Sequence, residues 1–264
     1  MLWGRYASQA SEARYPQLWQ GRVFGACPSV QGPAGLNLYD LSGKGRHATL
    51  TNMDAPTDWV RSRGQYALDF DGVNDYALIG TTSALNPESI SFSAWIRPTA
   101  VSGDYTVYAM SNAGATIYRG LWVTAGALRF AWGSVAATFR LYTTAASTIA
   151  ANTWQHVAAG HTGTGAPLIW INGISMSTTL TSSGVNTLPA TQQSDIGRLG
   201  NNFYFQGQID DVAVFNRQLT GGEARLLAVR RGIAYEARRD IVFGSSGFSA
   251  YWARRNSQII GGGV

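Results

Sequence analysis

The sequence has 264 residues, of which 45% are hydrophobic, and a formal net charge of +5. This length and composition fit one large all-β domain with extensions and a sizeable core. The single cysteine, Cys27, excludes an intrachain disulfide, and the chain has neither the apolar run of a signal peptide at its start nor the ~18 apolar residues of a membrane span.

Residues 1–35 carry aromatic side chains between Gly, Ser and Pro, with no helical or strand periodicity. Trp3 and Trp19 are among them. Because aromatics at this density are unfavourable in water, the segment is predicted to be a docking arm that packs on its own domain or on a partner.

Hydrophobic and polar residues then alternate in a series of short segments, which indicates β-strands. The predicted strand regions are 36–52 with a loop at 42–45, 66–70, 76–79, 89–98, 105–110, 117–124, 128–132, 138–143, 153–161, 167–176 and 194–199. Asp71-Gly72 and Asn172-Gly173 are typical of tight hairpin turns, so a hairpin is expected at each.

The most apolar strand is predicted in the segment 203–227, FYFQGQIDDVAVFNRQLTGGEARLL. Strict alternation would place Ile209 on one face and Val212 on the other. Thr220 and Glu223 have the spacing of a capping box, which predicts a helix from about residue 221 to 231 that ends at Gly232.

Two carboxylates interrupt this apolar strand. An unpaired charge there would cost several kcal/mol, so Asp210 and Asp211 need partners. One interpretation is that one side chain points to solvent while backbone amides of a neighbouring loop satisfy the other. The alternative is that one of them is an oxygen ligand of a structural Ca²⁺.

The last segment, 232–264, is predicted to be a second docking arm. Its candidate interface residues, together with Trp3 and Trp19 of the first arm, are Tyr235, Phe243, Phe248, Trp252, Arg254 and Arg255. Aromatics and Arg are enriched in interface cores, so this pattern favours sister subunits or another protein as partner and makes nucleic acid an improbable one.

Six segments together resemble the laminin-G-like domains of the concanavalin-A-like jelly-roll superfamily. They are DLSGKGRHATL (40–50), ALDFDGVNDYALI (67–79), SISFSAWIRP (89–98), TWQHVAAG (153–160), IWINGI (169–174) and FQGQIDDVAVFNRQLTGGEARLL (205–227). The resemblance covers about 36–231 and implies an antiparallel two-sheet jelly-roll sandwich with one short C-terminal helix, flanked by the two arms.

The resemblance also implies rim loops that often hold Ca²⁺ and bind glycans or proteins. Its metal candidates here are Asp40, Asp210 and Asp211. A glycan would need an exposed aromatic platform, for which Trp95, Trp122, Trp132 and Tyr204 are candidates, with partly buried packing as the alternative for each.

Segments 32–60 and 257–264 resemble laminin-G-like proteins of tailed bacteriophages. This resemblance implies a virion component, made in the host cytoplasm, that displays the module for surface or glycan attachment while its arms dock on capsid, tail or sister subunits. The alternative function is a stand-alone lectin-like module with no virion role.

No catalytic constellation is recognisable. Glucanases of this superfamily carry a Glu-x-Asp-x-x-Glu run, whereas the four Glu of this chain are scattered and form no such pair. No G-x-S-x-G nucleophile motif occurs. The sequence therefore predicts a non-enzymatic protein.

Overall fold

The computed structural model describes residues 13–112, 117–135, 138–184 and 192–236. These residues form two packed antiparallel sheets, which confirms the predicted all-β jelly-roll sandwich. Their strands are, in chain order, β1 (Arg22–Ala26), β2 (Asn37–Leu38), β3 (Ala48–Thr51), β4 (Trp59–Ser62), β5 (Gln65–Asp71), β6 (Tyr76–Thr81), β7 (Ile90–Pro98), β8 (Asp104–Ser111), β9 (Ile117–Thr124), β10 (Ala127–Val135), β11 (Thr138–Thr143), β12 (Gln155–His161), β13 (Leu168–Ile171), β14 (Ile174–Met176), β15 (Thr179–Ser183), β16 (Gln193–Ile196) and β17 (Gln206–Phe215).

The helices of the same residues are short. The α-helices are Pro28–Gln31, Ala55–Asp58 and Gly221–Leu227, and the 3-10 helices are Pro16–Leu18, Ser83–Leu85 and Ile233–Tyr235. The segment Gly221–Leu227 is called the C-terminal helix below. Among the residues described, no helix is long and apolar enough to cross a membrane.

The smaller sheet has eight strands in the order β14-β13-β12-β7-β17-β5-β4, with β1 paired to β17 beside this path. The larger sheet has nine, in the order β15-β11-β10-β9-β8-β16-β6-β3-β2. The main core lies between them, where Phe92 of the smaller sheet meets Tyr108 and Phe130 of the larger one at ring-centroid distances of 4.5 and 6.1 Å.

Local turn chemistry explains the hairpins within each sheet. Asn172 and Gly173 join β13 to β14 with φ of 51° and 74°, as the sequence predicts. Ala125 and Gly126 join β9 to β10 with φ of 48° and 70°. Positive φ at both central residues gives the turn the twist of the flanking strands.

The hairpin predicted at Asp71-Gly72 is wrong. Strand β5 belongs to the smaller sheet and β6 to the larger, so this turn crosses between the sheets. The Asp71 side chain accepts hydrogen bonds from the backbone amides of Val73, Asn74 and Asp75, and Asp75 accepts one from the amide of Asp71. These bonds stabilise a sharp local turn, but the strands on either side of it, β5 and β6, do not pair with each other.

The predicted boundary at residue 36 is also wrong for the part of the first arm that the structure describes. Arg22 to Ala26 form β1, and its side chains Phe24 and Ala26 are fully buried in the main core. The segment shows no alternation of polar and apolar residues because all five residues of β1 are buried, so neither face of the strand requires polar side chains.

Strand β17 lies at the centre of the smaller sheet. One of its edges pairs with β7, while the other pairs first with β5, over Gln206–Ile209, and then with β1 from Val212 onward. A bulge after Asp210, with φ of 49° at Asp211, breaks the alternation where the neighbour changes. Ile209 and Val212 therefore both face the main core, contrary to the strict alternation predicted.

The capping box is confirmed. The Thr220 hydroxyl accepts a hydrogen bond from the Glu223 amide, and the Glu223 carboxylate accepts one from the Thr220 amide. The helix ends at Leu227 rather than near residue 231. It packs on the outer face of the smaller sheet, where Trp170 and Phe215 belong to a second hydrophobic cluster.

The chain on either side of the sandwich converges on this same outer face. Leu18 and Ile233 join the second cluster, and the Trp19 indole donates a hydrogen bond of 2.9 Å to the Ala234 carbonyl while packing edge-on against Tyr235 at 5.4 Å. Trp19 and Tyr235, expected at an interface between chains, thus pack against each other within one chain. The other predicted interface residues lie outside the described part of the chain: Trp3, Phe243, Phe248, Trp252, Arg254 and Arg255.

Candidate functional site

A groove opens on the outer face of the larger sheet, on the opposite side of the sandwich from the C-terminal helix. Its walls come from four neighbouring strands and from the loop between β16 and β17. The lining residues are Asp104, Thr106, Trp122, Arg129, Phe139, Leu141, Leu199 and Phe203.

Strand alternation explains why polar and aromatic side chains meet here. Leu121 and Val123 of β9 face the main core, which turns Trp122 outward. Trp122 lies opposite Arg129 of β10 on one side and opposite Thr106 of β8 on the other. Three adjacent strands therefore place an indole, a guanidinium and a hydroxyl side by side.

The polar groups of the groove are only partly paired. Arg129 Nη1 lies 3.9 Å from Asp104 Oδ1, an ion pair too long for a hydrogen bond, and the Thr124 hydroxyl donates to the same Asp104 oxygen. Arg129 Nε and Thr106 Oγ1 are buried and have no hydrogen-bond partner among the residues described. Buried polar groups of this kind are normally satisfied by water or by a ligand.

The loop wall presents the exposed aromatic of the site. Phe203 keeps 44% of its surface exposed, whereas Leu199 beside it is buried. The Phe203 carbonyl accepts a hydrogen bond of 3.1 Å from the Thr106 amide, which fixes the loop to the sheet. Phe203 has a φ of 54°, an uncommon conformation for a bulky residue, and such outliers concentrate at binding sites.

One of the four predicted platform residues lines the groove. Trp122 forms its floor, but only 5% of its surface is exposed. Tyr204 is partly exposed on the loop and does not line the groove.

The other two platform candidates do not line the groove and pack within the protein, as the alternative interpretation expects. Trp95 faces the C-terminal helix, and its indole donates to the Leu227 carbonyl at 3.1 Å. Trp132 lies in the main core between the Arg119 guanidinium, 3.9 Å above its ring, and the His161 ring at 4.3 Å. Their environments are those of structural side chains.

Sequence reasoning missed most of the groove. Asp104, Arg129, Phe139 and Leu141 carry no local motif, since strand register alone brings them together. Phe203 did leave a signal: an aromatic directly after Asn201-Asn202, in a turn between two strands, is exposed more often than one inside a strand.

None of the three predicted metal ligands lines the groove. Asp40 accepts backbone hydrogen bonds from Gly25, Ser42 and Arg46 at 2.9 to 3.1 Å, so both of its oxygens are occupied. The amides come from β1 and from the loop between β2 and β3. Asp40 thus ties the N-terminal strand to that loop.

Asp210 and Asp211 tie two further segments to the bulge of β17. Asp210 Oδ1 accepts the amides of Ser29 and of Asp211, and its Oδ2 lies 3.4 Å from Arg231. Asp211 Oδ2 accepts the amide of Gly232 at 2.9 Å. Both carboxylates are almost fully buried.

Burial dominates the electrostatics of this pair. It raises the pKa of Asp210 to about 7, with the Asp211 charge adding to the shift and the Ser29 amide and Arg231 opposing it. Burial likewise raises the pKa of Asp211, against the attraction of Arg22. Burial and both carboxylates also raise the pKa of the Cys27 thiol.

These residues do not supply a calcium shell by themselves. In the part of the chain that the structure describes, no three acidic, histidine or cysteine side chains could hold one metal ion. Both oxygens of Asp40 and Asp210 Oδ1 accept backbone amides, as the hydrogen-bonded interpretation requires. Asp210 Oδ2 has only the ion pair with Arg231, and Asp211 Oδ1 is buried with no hydrogen-bond partner among the described residues. Ca²⁺ at these carboxylates stays a prediction, for which the test is a drop in melting temperature on chelation.

One pair in the smaller sheet resembles a nucleophile and its base. Ser93 Oγ and His156 Nε2 are 2.9 Å apart, but both residues are buried. Burial lowers the pKa of His156 to about 3, and its Nδ1 has no partner among the described residues. The pair lacks both an orienting acid and access to a substrate.

Comparison with protein families gives one match. The Laminin_G_3 profile, described as concanavalin A-like lectin/glucanases superfamily, matches residues 71–225, which is more than half of the chain. The match confirms the family that the six sequence segments indicate. A comparison with curated proteins finds no significant match.

Solved structures share the fold at low identity. The receptor binding domain of botulinum neurotoxin C/D mosaic serotype has a TM-score of 0.62 and 14% identity over 79% of this chain and 51% of that one. The botulinum neurotoxin serotype D ligand binding domain in complex with N-acetylneuraminic acid gives 0.56 and 14%, over 82% and 52%.

A sialidase shows the same likeness. The Trypanosoma rangeli sialidase in complex with the inhibitor DANA has a TM-score of 0.56 and 15% identity, over 78% of this chain and 32% of the sialidase. The chain thus spans about half the length of the toxin domains and about a third of the sialidase. At these identities the likeness concerns the fold alone.

Proposed function

The chain belongs to the concanavalin A-like lectin/glucanase superfamily, and from this we propose that it is a non-enzymatic carbohydrate-binding protein whose sugar site is the groove of the larger sheet. The observation that carries the proposal is the combination of an exposed aromatic, Phe203, with two buried polar atoms, on Thr106 and Arg129, that have no hydrogen-bond partner within the described ranges. A sugar ring has apolar C–H faces and a rim of hydroxyls, so it would satisfy both kinds of group.

The position of the groove supports a role in attachment. The described chain begins and ends on the opposite outer face, where the amide of Arg14 donates to the carbonyl of Glu236 at 2.8 Å. If a partner binds the protein through its terminal segments, the groove would therefore lie on the side that faces away from the partner.

The absence of enzymatic activity is part of the proposal. The lining residues that the structure describes include one carboxylate, Asp104, whereas glycoside hydrolysis ordinarily uses two across the scissile bond. The one Ser–His pair noted above is buried on the other sheet.

The direct test is a glycan array probed with the wild-type protein and with Phe203→Ala. We expect binding to at least one glycan, weakened about tenfold or more by the substitution, since an aromatic ring buried against a ligand contributes on the order of 1.5–3 kcal/mol. Ile174→Ala, at an exposed apolar residue of the smaller sheet, is the matched control and should bind as the wild type does. Equal binding by Phe203→Ala would exclude the groove.

We also propose that the protein is a bacteriophage virion component, as a capsid decoration, fibre or tail protein. This rests on the phage-like segments 32–60 and 257–264 and on the shared exit face of the two terminal segments. Its partners would be sister subunits or a capsid or tail protein. Mass spectrometry of purified particles should find the chain in many copies. Its absence from particles would exclude the virion role and favour the alternative, a stand-alone lectin-like module.

A further inference from the structure

We infer that the groove takes a single neutral pyranose ring at the end of a glycan, bound through two adjacent hydroxyls by Asp104 and Arg129, and that it discriminates against acidic sugars. The inference rests on the proposed function and names the class of sugar. It follows from the size of the groove, from its charge and from the geometry of its polar groups.

The size of the groove limits the ligand to about one ring. Its volume is about 170 Å³, smaller than the ~300 Å³ lower bound of typical pockets for drug-sized ligands. Leu199 and Phe203 close the side towards the loop, and Phe139 and Leu141 close the opposite side. Only one sugar unit of an extended oligosaccharide would fit in the groove.

The charges of the groove compensate each other. Asp104 and Arg129 are its only ionisable side chains among the described lining residues, and they lie 3.9 Å apart. The pair therefore presents an acceptor and a donor next to each other with almost no net charge. Two neighbouring hydroxyls of a pyranose match this arrangement, because one can donate to the carboxylate while the other accepts from the guanidinium.

The unpartnered atoms complete the match. Arg129 Nε and Thr106 Oγ1 have hydrogen-bonding capacity left over, and Thr106 is fully buried beneath the groove. A sugar hydroxyl can accept a hydrogen bond from Arg129 Nε and donate one to Thr106 Oγ1, so a single hydroxyl could satisfy both atoms. The apolar face of the same ring would rest on Phe203.

An acidic sugar meets an obstacle in the same geometry. Its carboxylate would have to approach Arg129 within reach of Asp104, and two like charges at such a distance in a partly buried site repel each other. The guanidinium is already partly neutralised by Asp104. The site thus gains little from a negative charge on the ligand.

The test compares neutral and acidic monosaccharides on the full-length protein. The probes are the methyl pyranosides of glucose, galactose and mannose together with glucuronic acid and N-acetylneuraminic acid, each displayed on a polymer and titrated by biolayer interferometry. We expect at least one neutral probe to bind more tightly than either acid. Asp104→Asn and Arg129→Gln should each weaken that neutral probe by about tenfold, as for loss of a hydrogen bond to a charged group.

Asp54→Asn is the matched control, because it removes an exposed carboxylate beside the smaller sheet, and should change nothing. Melting curves establish that each variant is folded. Preferred binding of an acidic probe, tightened by Asp104→Asn, would overturn the inference and leave the carbohydrate-binding function standing. If no sugar of either class binds to the folded wild type, the proposed function fails as well.

Discussion

Two carboxylates at the centre of the smaller sheet show how single residues organise this fold. Asp210 and Asp211 lie at the bulge where β17 exchanges one neighbouring strand for another. Their oxygens accept the backbone amides of Ser29 and Gly232. The acids therefore join the chain before β2 and the chain after the C-terminal helix to the same strand.

The raised pKa of Asp210 makes this junction sensitive to pH. Its pKa is about 7 in the folded protein, against ~3.9 for an unfolded Asp. Between these values the folded protein binds more protons than the unfolded chain, so the contribution of Asp210 to the free energy of unfolding falls as the pH rises from about 4 to about 7.

Asp210→Asn removes this titration and should therefore be more destabilising at pH 5 than at pH 8. Urea unfolding at the two pH values measures the difference, with the exposed Asp54→Asn as control for loss of a charge. A penalty that is equal at both pH values, or greater at pH 8, would show that Asp210 is already ionised throughout this range.

At the scale of elements, the accuracy of sequence reasoning followed the range of the interactions. The strand at β7 and the turn at Asn172-Gly173 depend on nearby residues and were predictable. Strand β1 was not, because only pairing with the distant β17 defines it. The bulge in β17 has the same origin and reverses the predicted faces. Strand β4 was missed although it is local, since the two-residue turn Arg63-Gly64, with φ of 53° and 80°, joins it to β5.

The capping box is the most local device in the fold and can be tested alone. Thr220→Ala removes the acceptor for the Glu223 amide and should lower the free energy of unfolding by about 1 kcal/mol. Denaturant unfolding measures it, with Thr99→Ala at an exposed loop position as control. If the two variants have the same midpoint, the cap contributes nothing beyond an ordinary surface residue.

At the scale of the whole molecule, the two outer faces of the sandwich differ. The smaller sheet is covered by the C-terminal helix and by the chain near both ends of the described region, whereas the larger sheet carries the groove. Hydrophobic alternation predicted the strands, and the resemblance of six segments to laminin-G-like domains implied the sandwich that they form. The groove was largely unpredictable, since its residues come from four strands whose register no local pattern encodes.

This layout predicts which part of the chain folds independently. A fragment of residues 13–236 keeps both sheets and the covered face, so it should unfold at the same denaturant concentration as the full chain. A fragment of residues 36–231 lacks β1 and should lose more than about 3 kcal/mol, because removing buried Phe24 alone is of that order. Equal stability of the two fragments would mean that β1 is dispensable.

Sugar binding in the groove can be followed at the indole N–H signals of ¹H–¹⁵N NMR spectra during titration with the best-binding glycan. Each indole lies in a known environment: Trp122 on the groove floor, and Trp95 and Trp170 on the opposite sheet beneath the C-terminal helix. Substitution of each by Phe assigns the signals. We expect the Trp122 signal to shift and saturate while the signals of Trp95 and Trp170 stay in place. A saturating shift at Trp95 or Trp170 with none at Trp122 would contradict sugar binding in the groove.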